Sequence, residues 1–291
     1  MCEFDIFTDS SADLPKAIVD EYKIQVMQLE VTIGDNEPIL NKDVDITDFY
    51  NQLREGANAK TSAVTLGYFE EHMRESLKAG RDILYLGFSS GLSATYNNGV
   101  MMLKELEDAF PERKILHLDT LCASAGQGLL VYHAAKLREA GSSMEEVFEK
   151  ILAVKDYIHH QVTVDDLLFL KRGGRLDATS AVVGTVLKVK PLIVMDEEGH
   201  LQSVAKTRGR KNAIKEMYEN LKATEQLDEL GYVFISHADC KEDAVALEEM
   251  VKEDFPSVEV VICEIGPVIG AHTGPGGLAL CYFGKTVKGN A

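Results

Sequence analysis

The sequence predicts an α/β protein of two domains: an N-terminal, mainly parallel α/β sandwich over residues 1–160 and a C-terminal α+β domain with a mixed sheet over 161–291. Three observations predict it. A chain of 291 residues is long enough to bury two cores. Short apolar runs alternate with helical periodicity through the first half, the pattern of a parallel sheet clothed by helices. The second half opens with two apolar runs flanking Asp196-Glu-Glu-Gly199, a hairpin turn that breaks the parallel rule.

The elements follow in order. Residues 4–7 form a short strand, then comes the polar turn Thr8-Asp-Ser-Ser-Ala-Asp13, and Pro15 suits the first turn of a helix. Residues 24–33 read as one longer strand. Residues 45–54 and 66–79 read as helices; Thr65 can cap the second and Gly80 stops it. Residues 83–87 are a buried strand. The loop Phe88-Ser-Ser-Gly-Leu-Ser-Ala-Thr95 joins it to a helix over 96–110, where Val100, Leu103, Leu106 and Phe110 keep helical spacing. A strand over 114–118 and a helix over 123–140 follow. Ser143 and Glu146 make a capping-box pattern opening a helix over 144–158. Past the hairpin of 191–195 and 200–206 lie helix 210–221, strand 232–236, helix 241–254 and strands 258–264 and 277–283.

Composition narrows the function. Apolar residues at 45% and charged residues at 26% are those of a globular protein. A net charge of −17 argues against a nucleic-acid partner, whose footprint is basic, and against broad adhesion to an anionic membrane. Cys2, Cys122, Cys240, Cys263 and Cys281 are scattered, odd in number and form no C-x-x-C pair, so neither a disulfide framework nor a zinc site is expected. No apolar run reaches membrane-span length and the N-terminus has no signal-peptide pattern, so a cytoplasmic location is expected.

Two loops carry the chemistry. The first is 88–95. Backbone N–H groups at a helix start lack intrahelical partners, and the helix dipole favours negative charge there. Ser89, Ser90, Ser93 and Thr95 add neutral donors, so the loop reads as a site for a carboxylate or phosphate. The second is 266–277, with five glycines and two prolines in twelve residues and His272 and Thr273 as its only polar side chains. It reads as a loop of fixed path. Lys60-Thr-Ser62 alone reads as ordinary helix-capping chemistry. Lys171-Arg-Gly-Gly-Arg175 and the cluster Lys206, Arg208, Arg210 and Lys211 are basic islands in an acidic chain. A lone cluster of this kind is usually solvated surface; two against −17 ask for a partner.

Gly87-Phe-Ser-Ser-Gly91 also matches G-x-S-x-G, the nucleophile elbow of α/β-hydrolases, and Ser89, Asp239 and His272 stand in that family's order. A serine esterase or thioesterase using Ser89 is therefore the alternative reading. Against it, Gly91 and further hydroxyl residues separate Ser89 from the helical periodicity. His159-His160 are adjacent and cannot share one metal from a helix, and no metal or cofactor motif is found.

Several segments together resemble the DegV family of bacterial fatty-acid-binding proteins, which includes the binding subunits of fatty acid kinase. They are Thr8-Asp-Ser-Ser-Ala-Asp-Leu-Pro15, Lys60-Thr-Ser62, Ser89-Ser-Gly-Leu-Ser-Ala-Thr-Tyr96, Asp119-Thr120, Leu170-Lys-Arg-Gly-Gly-Arg-Leu176, Lys190-Pro191 and the stretch 266–277. The resemblance covers nearly the whole chain. One departure is Ala63-Val64-Thr65, where family members often carry a proline. The resemblance implies two α/β domains with a long-chain fatty acid such as palmitate, stearate or oleate in a buried tunnel. It implies a carboxylate held by Thr61, Ser62, Ser93 and His272, with Thr273 adjacent. It implies a non-catalytic carrier that needs no cofactor, presents its ligand to a fatty acid kinase catalytic subunit, and allows a transient membrane contact. Arg172, Lys171, Lys206 and Arg208 are then expected to dock the kinase.

Overall fold

In the computed structural model, residues 3–176, 189–227 and 231–289 are described. The first half carries strands β1 (Phe4–Asp9), β2 (Gln25–Met27), β3 (Glu30–Ile33), β4 (Ile39–Leu40), β5 (Ala59–Ser62), β6 (Asp82–Gly87) and β7 (Ile115–Asp119). Its helices are α1 (Lys16–Glu21), α2 (Ile46–Arg54), α3 (Leu66–Lys78), α4 (Thr95–Ala109), α5 (Ser124–Glu139) and α6 (Met144–Val154). The second half runs β8 (Ile158–Thr163), α7 (Leu168–Arg172), β9 (Val189–Met195), β10 (Leu201–Arg208), α8 (Arg210–Thr224), β11 (Tyr232–His237), α9 (Lys241–Asp254), β12 (Glu259–Glu264), α10 (Pro267–Thr273) and β13 (Leu278–Phe283).

Among the described residues the strands form three sheets. The first, β2-β1-β6-β7, is wholly parallel, and the second, β10-β9-β8-β13-β11-β12, is mixed, with β11 and β12 its parallel pair. This is the expected α/β architecture. The third sheet, β4-β3-β5, is antiparallel and unforeseen. It arises because residues 24–33 are two strands rather than one. Gln28 and Leu29 separate β2 from β3, and β3 turns into the small sheet to pair Val31 with Thr61.

The core explains the layering. Helix α5 is buried nearly all round, from Ser124 through Tyr132. A helix apolar or small on every face must be covered on every face. Phe4, Ile6, Leu84 and Leu86 of the parallel sheet cover one side, and Phe234, Cys281 and Phe283 of the mixed sheet cover the other. Helices α3 and α4 close the far side of the parallel sheet, and α8 and α9 that of the mixed sheet. The two sheets thus share one helical layer. The expected division at 160/161 falls inside β8; the helix expected over 144–158 ends at Val154, and a short 3-10 turn over Lys155–Tyr157 leads into that strand. The capping box at Ser143 and Glu146 and the Thr65 cap, which accepts from Tyr68 N at 3.2 Å, are as expected.

Cys122, Cys240, Cys263 and Cys281 are free thiols; Cys2 lies outside the described residues. No helix of the described residues is long and apolar enough to cross a membrane.

Burial governs the protonation of the core. It pushes the imidazoles of His133 and His160 down to about 4 and about 3, and lowers those of His117, His159 and His237. It pushes the carboxyls of Asp9 and Asp13 up, the latter to about 8. A lowered histidine binds fewer protons folded than unfolded below its unfolded value near 6.5, so its contribution is lost as pH falls. A raised carboxyl acts the opposite way over the same window. Six imidazoles, His272 of the site included, outweigh two carboxyls once the unfolded imidazoles are at least half protonated. The urea midpoint, followed by circular dichroism, is expected to fall steadily between about pH 6.5 and 5; a midpoint that rises on acidification there would contradict this balance.

Candidate functional site

The two signature segments meet. The small sheet exists because β3 offers an antiparallel edge to residues 59–62, and strand alternation then turns Thr61 inward and leaves Ser62 exposed. The glycine-rich stretch, expected as a loop, begins as helix α10 with Pro267 in its first turn. His272 sits in its last turn. Thr61 Oγ1 and His272 Nε2 are 2.9 Å apart, a hydrogen bond joining the first half of the chain to the second.

The imidazole is neutral at ordinary pH. Burial, and secondly the charge of Arg175, push it down to about 4. Its Nδ1 is buried and has no hydrogen-bond partner among the described residues. It lies so close to the Gly173 backbone that a Cβ there would stand 2.1 Å from it. A buried N–H without an acceptor costs more than a buried lone pair in the same place. The favoured tautomer therefore carries its proton on Nε2 and donates to Thr61 Oγ1. The Thr61 hydroxyl proton is left to point into the cavity.

Ser93 is arranged in the same way. Its Oγ accepts from Thr95 N at 3.2 Å and lies 3.0 Å from Thr95 Oγ1. When Thr95 Oγ1 is the donor of that pair, the Ser93 hydroxyl keeps its own proton for a ligand. Thr273 differs: its Oγ1 donates back to Ile269 O at 3.3 Å, so it lines the cavity with its hydroxyl already used. Ser62 faces away and does not line it.

The helix-start reading of loop 88–95 needs correction. Its backbone donors are taken within the protein: Phe88 N by the Asp9 side chain at 2.9 Å, Ser90 N by Asp119 at 3.2 Å, Ser89 N by the Cys122 carbonyl, and Gly91 N and Thr95 N by the Ser89 and Ser93 hydroxyls. Side-chain hydroxyls, not the helix terminus, face the cavity. The nucleophile reading of Ser89 also fails. Ser89 is buried, donates to Gly199 O at 2.8 Å and accepts from Gly91 N, while Asp239 pairs with Arg54 at 2.5 Å and His272 with Thr61. The three residues expected of a triad are in three separate bonds.

Thr61, Ser93, His272 and Thr273 line a narrow inner cavity of about 50 Å³ whose remaining wall is mostly apolar, including Leu29, Phe88, Leu92, Leu170, Val268 and Ile269. On the other side of Thr61 and His272 lies an open vestibule of about 510 Å³, lined by Lys60, Arg172 and Arg175 among others. Thr61, Arg175 and His272 belong to both spaces and form the seam between them. Arg175 is the residue whose place the sequence did not disclose. It donates to Leu92 O at 3.0 Å and to Gly173 O, and half-buried behind the seam it is a cation of the site rather than of the surface. Arg172 is exposed, stacks over Phe169 at 4.6 Å and lines the vestibule. Lys171 is half-buried at the end of α7. Lys206 and Arg208 are exposed on edge strand β10 and do not line the vestibule. The two basic clusters therefore do not form one lining. Among the described residues no group of three or more His, Cys, Asp or Glu is placed to hold a metal ion.

Comparison with known proteins identifies the family. Residues 3–285 match a family model described as an uncharacterised protein, DegV family. A DegV domain-containing protein of Clostridium perfringens is 42% identical over 288 residues, covering 98% of this chain and 99% of the relative. A DegV family protein from Thermus thermophilus, solved as a fatty-acid-binding protein, superposes with a TM-score of 0.85 at 29% identity, covering 97% of this chain and 99% of that one. DegV of Bacillus subtilis, a fatty-acid-binding protein, superposes with a TM-score of 0.85 at 27% identity, covering 98% and 100%. Matched over nearly its whole length by that family model and by a relative of 42% identity, the chain belongs to the DegV family.

Proposed function

We propose that this chain binds a single long-chain fatty acid, such as palmitate, stearate or oleate, with its carboxylate at the seam and its tail in the apolar interior. The observation that carries the reading is the order of surfaces: cations in the vestibule, the Thr61 hydroxyl at the seam and the Ser93 hydroxyl just inside it, aliphatic side chains beyond. An amphipath with an anionic head fits that order in one direction only. Thr61 and Ser93 donate to the carboxylate, His272 fixes the Thr61 proton, and Arg175 supplies the nearby positive charge. Thr273 contributes packing and Ser62 has no part.

Burial of the tail provides the affinity. At about 0.8 kcal/mol per methylene, some fourteen methylenes give ~11 kcal/mol before the costs of association. The cavity of about 50 Å³ is far smaller than a ligand pocket of roughly 300–1,000 Å³, so the aliphatic walls part as the chain enters. Binding by this reading consumes no bond and needs no cofactor. The carrier's further role is to expose the head group to a fatty acid kinase. There a carboxylate oxygen attacks the γ-phosphorus of ATP, ADP departs, and an acyl phosphate remains on the carrier. Arg172 lies in the vestibule through which the phosphoryl group would arrive, and its planar fork suits phosphate oxygens.

Protein purified from cells is expected to carry about one fatty acid per chain in native mass spectrometry, with the lipid identified after extraction. Protein that emerges empty and also ignores added palmitate and oleate would rule the carrier reading out.

Ser93→Ala and Thr61→Ala should each weaken oleate binding by about 1–3 kcal/mol, the usual loss of a hydrogen bond to a charged group, whereas Ser62→Ala should leave it unchanged. Calorimetric titration distinguishes the three; wild-type affinity in both of the first two variants would remove these hydroxyls from the site.

Arg172→Ala is expected to keep oleate affinity and slow acyl-phosphate formation when kinase, ATP and loaded carrier are combined, and the wild-type rate should drop as salt rises. An undiminished rate in the variant would separate Arg172 from kinase action.

A further inference from the structure

The turn Thr8-Asp-Ser-Ser-Ala-Asp13 does not line the inner cavity, yet it is among the most buried polar stretches of the chain. Asp9 accepts from Phe88 N at 2.9 Å, at the root of the serine loop. Ser10 Oγ accepts from Leu29 N at 3.0 Å, and Asp13 accepts from Gly266 N at 2.9 Å, where α10 begins. Leu29, Phe88 and α10 are three walls of one cavity. A single turn therefore pins three of its walls by their backbones.

The grip on α10 is the tightest. Besides Asp13 on Gly266 N, Asn41 accepts from Val268 N at 3.0 Å, and Tyr50 Oη donates to Ile265 O at 2.6 Å. All three side chains come from the first half of the chain; the helix they hold comes from the second. Asp13 adopts a left-handed conformation, φ 49°, which a non-glycine residue keeps only where its surroundings demand it. Its other oxygen accepts from Ser124 Oγ at 2.6 Å, and Ser124 is in turn 2.9 Å from Ser236 Oγ on β11.

We infer that Asp13, together with Asn41, is a positioning residue of the head-group site: the two hold the start of α10 so that His272, at its far end, meets Thr61. This rests on the reading of Thr61 and His272 as carboxylate partners, but it concerns their alignment before any ligand arrives. The bond the positioning serves crosses between the halves, and it depends on a helix of seven residues whose own backbone bonds are too few to fix its direction.

The pairing also says which substitution is tolerated. In Asp13→Asn the side-chain oxygen still accepts from Gly266 N, and the amide nitrogen donates to Ser124 Oγ, which turns its own proton to Ser236. Burial pushes the Asp13 carboxyl up to about 8, so asparagine has the shape and hydrogen-bonding capacity of the protonated side chain. Alanine has neither acceptor nor donor.

The test uses full-length protein with isotope-labelled histidine. His272 side-chain resonances and their pH titration are followed by NMR without ligand, and oleate affinity is measured on the same samples. Asp13→Ala and Asn41→Ala are expected to shift the His272 resonances and weaken oleate binding by about tenfold, while Asp13→Asn restores both to near the wild type. Ser143→Ala, which removes the distant α6 cap, lowers stability alone and should move neither. If Asp13→Ala does not fold, the half-exposed Asn41 carries the test. Unchanged His272 resonances in Asn41→Ala, or an Asp13→Asn variant that perturbs His272 as strongly as alanine does, would overturn the inference. Wild-type protein that fails to bind oleate would instead remove the carboxylate reading, and the His272 resonances alone would still decide the positioning.

Discussion

A helix that is apolar or small on every side cannot rest on one sheet. In this molecule α5 meets that requirement by lying between the parallel sheet and the mixed one. Everything at the junction depends on it. Once both sheets share the helix, their relative placement is fixed by packing rather than by a linker. Thr61, on a strand of the first half, and His272, on a helix of the second, can then stand at hydrogen-bond distance without a hinge between them. Interiors packed at crystal density transmit such placement with little slack. The shared layer also explains why residues 158–163 pass straight from a helical turn into a central strand.

The proposed site would hold a negative charge inside a chain that is itself strongly negative. At a net charge of −17, the field of the whole protein repels an anion, so recognition has to be local. The structure uses neutral donors whose protons are aimed by neighbouring acceptors and donors, and sets one half-buried guanidinium behind them. Keeping His272 neutral is part of the same solution. A charged imidazole buried beside Arg175 would add a second desolvated cation to a site proposed to receive a single carboxylate.

Regular elements with clear periodicity were legible in the sequence. Helix α9 falls on the expected residues, and β6, α4 and the β9–β10 hairpin lie within a few residues of expectation. Two elements of the site were hidden for identifiable reasons. Ala59–Ser62 carries no apolar alternation, because Thr61 faces a polar seam and its neighbours face solvent, so a real strand looked like a capping sequence. Helix α10 was masked by glycines and prolines. Pro267 in fact suits a first helical turn, and Gly270 is demanded by its neighbour: a Cβ there would stand 2.6 Å from Tyr50 Oη. Composition showed that the stretch is unusual, but only tertiary contact shows that Gly270 makes room for a tyrosine. Residues 24–33 failed in the opposite way. Recurring apolar residues suggested one strand, yet the chain changes sheets at Gln28 and Leu29, and local periodicity carries no information about partners.

The bond from Ser89 to the Gly199 carbonyl has a consequence for how such chains are recognised. A search for G-x-S-x-G after a strand returns this protein among the serine hydrolases, and chain order even offers an aspartate and a histidine downstream. What separates the two kinds of serine is the destination of the proton. In a hydrolase elbow the hydroxyl is exposed and its hydrogen bond runs to an imidazole. Here it is sealed from solvent and secures a hairpin turn of the other half. The same five-letter pattern can therefore mark a nucleophile or a rivet, and a motif library would tell them apart by adding one geometric field, the acceptor of the serine hydroxyl.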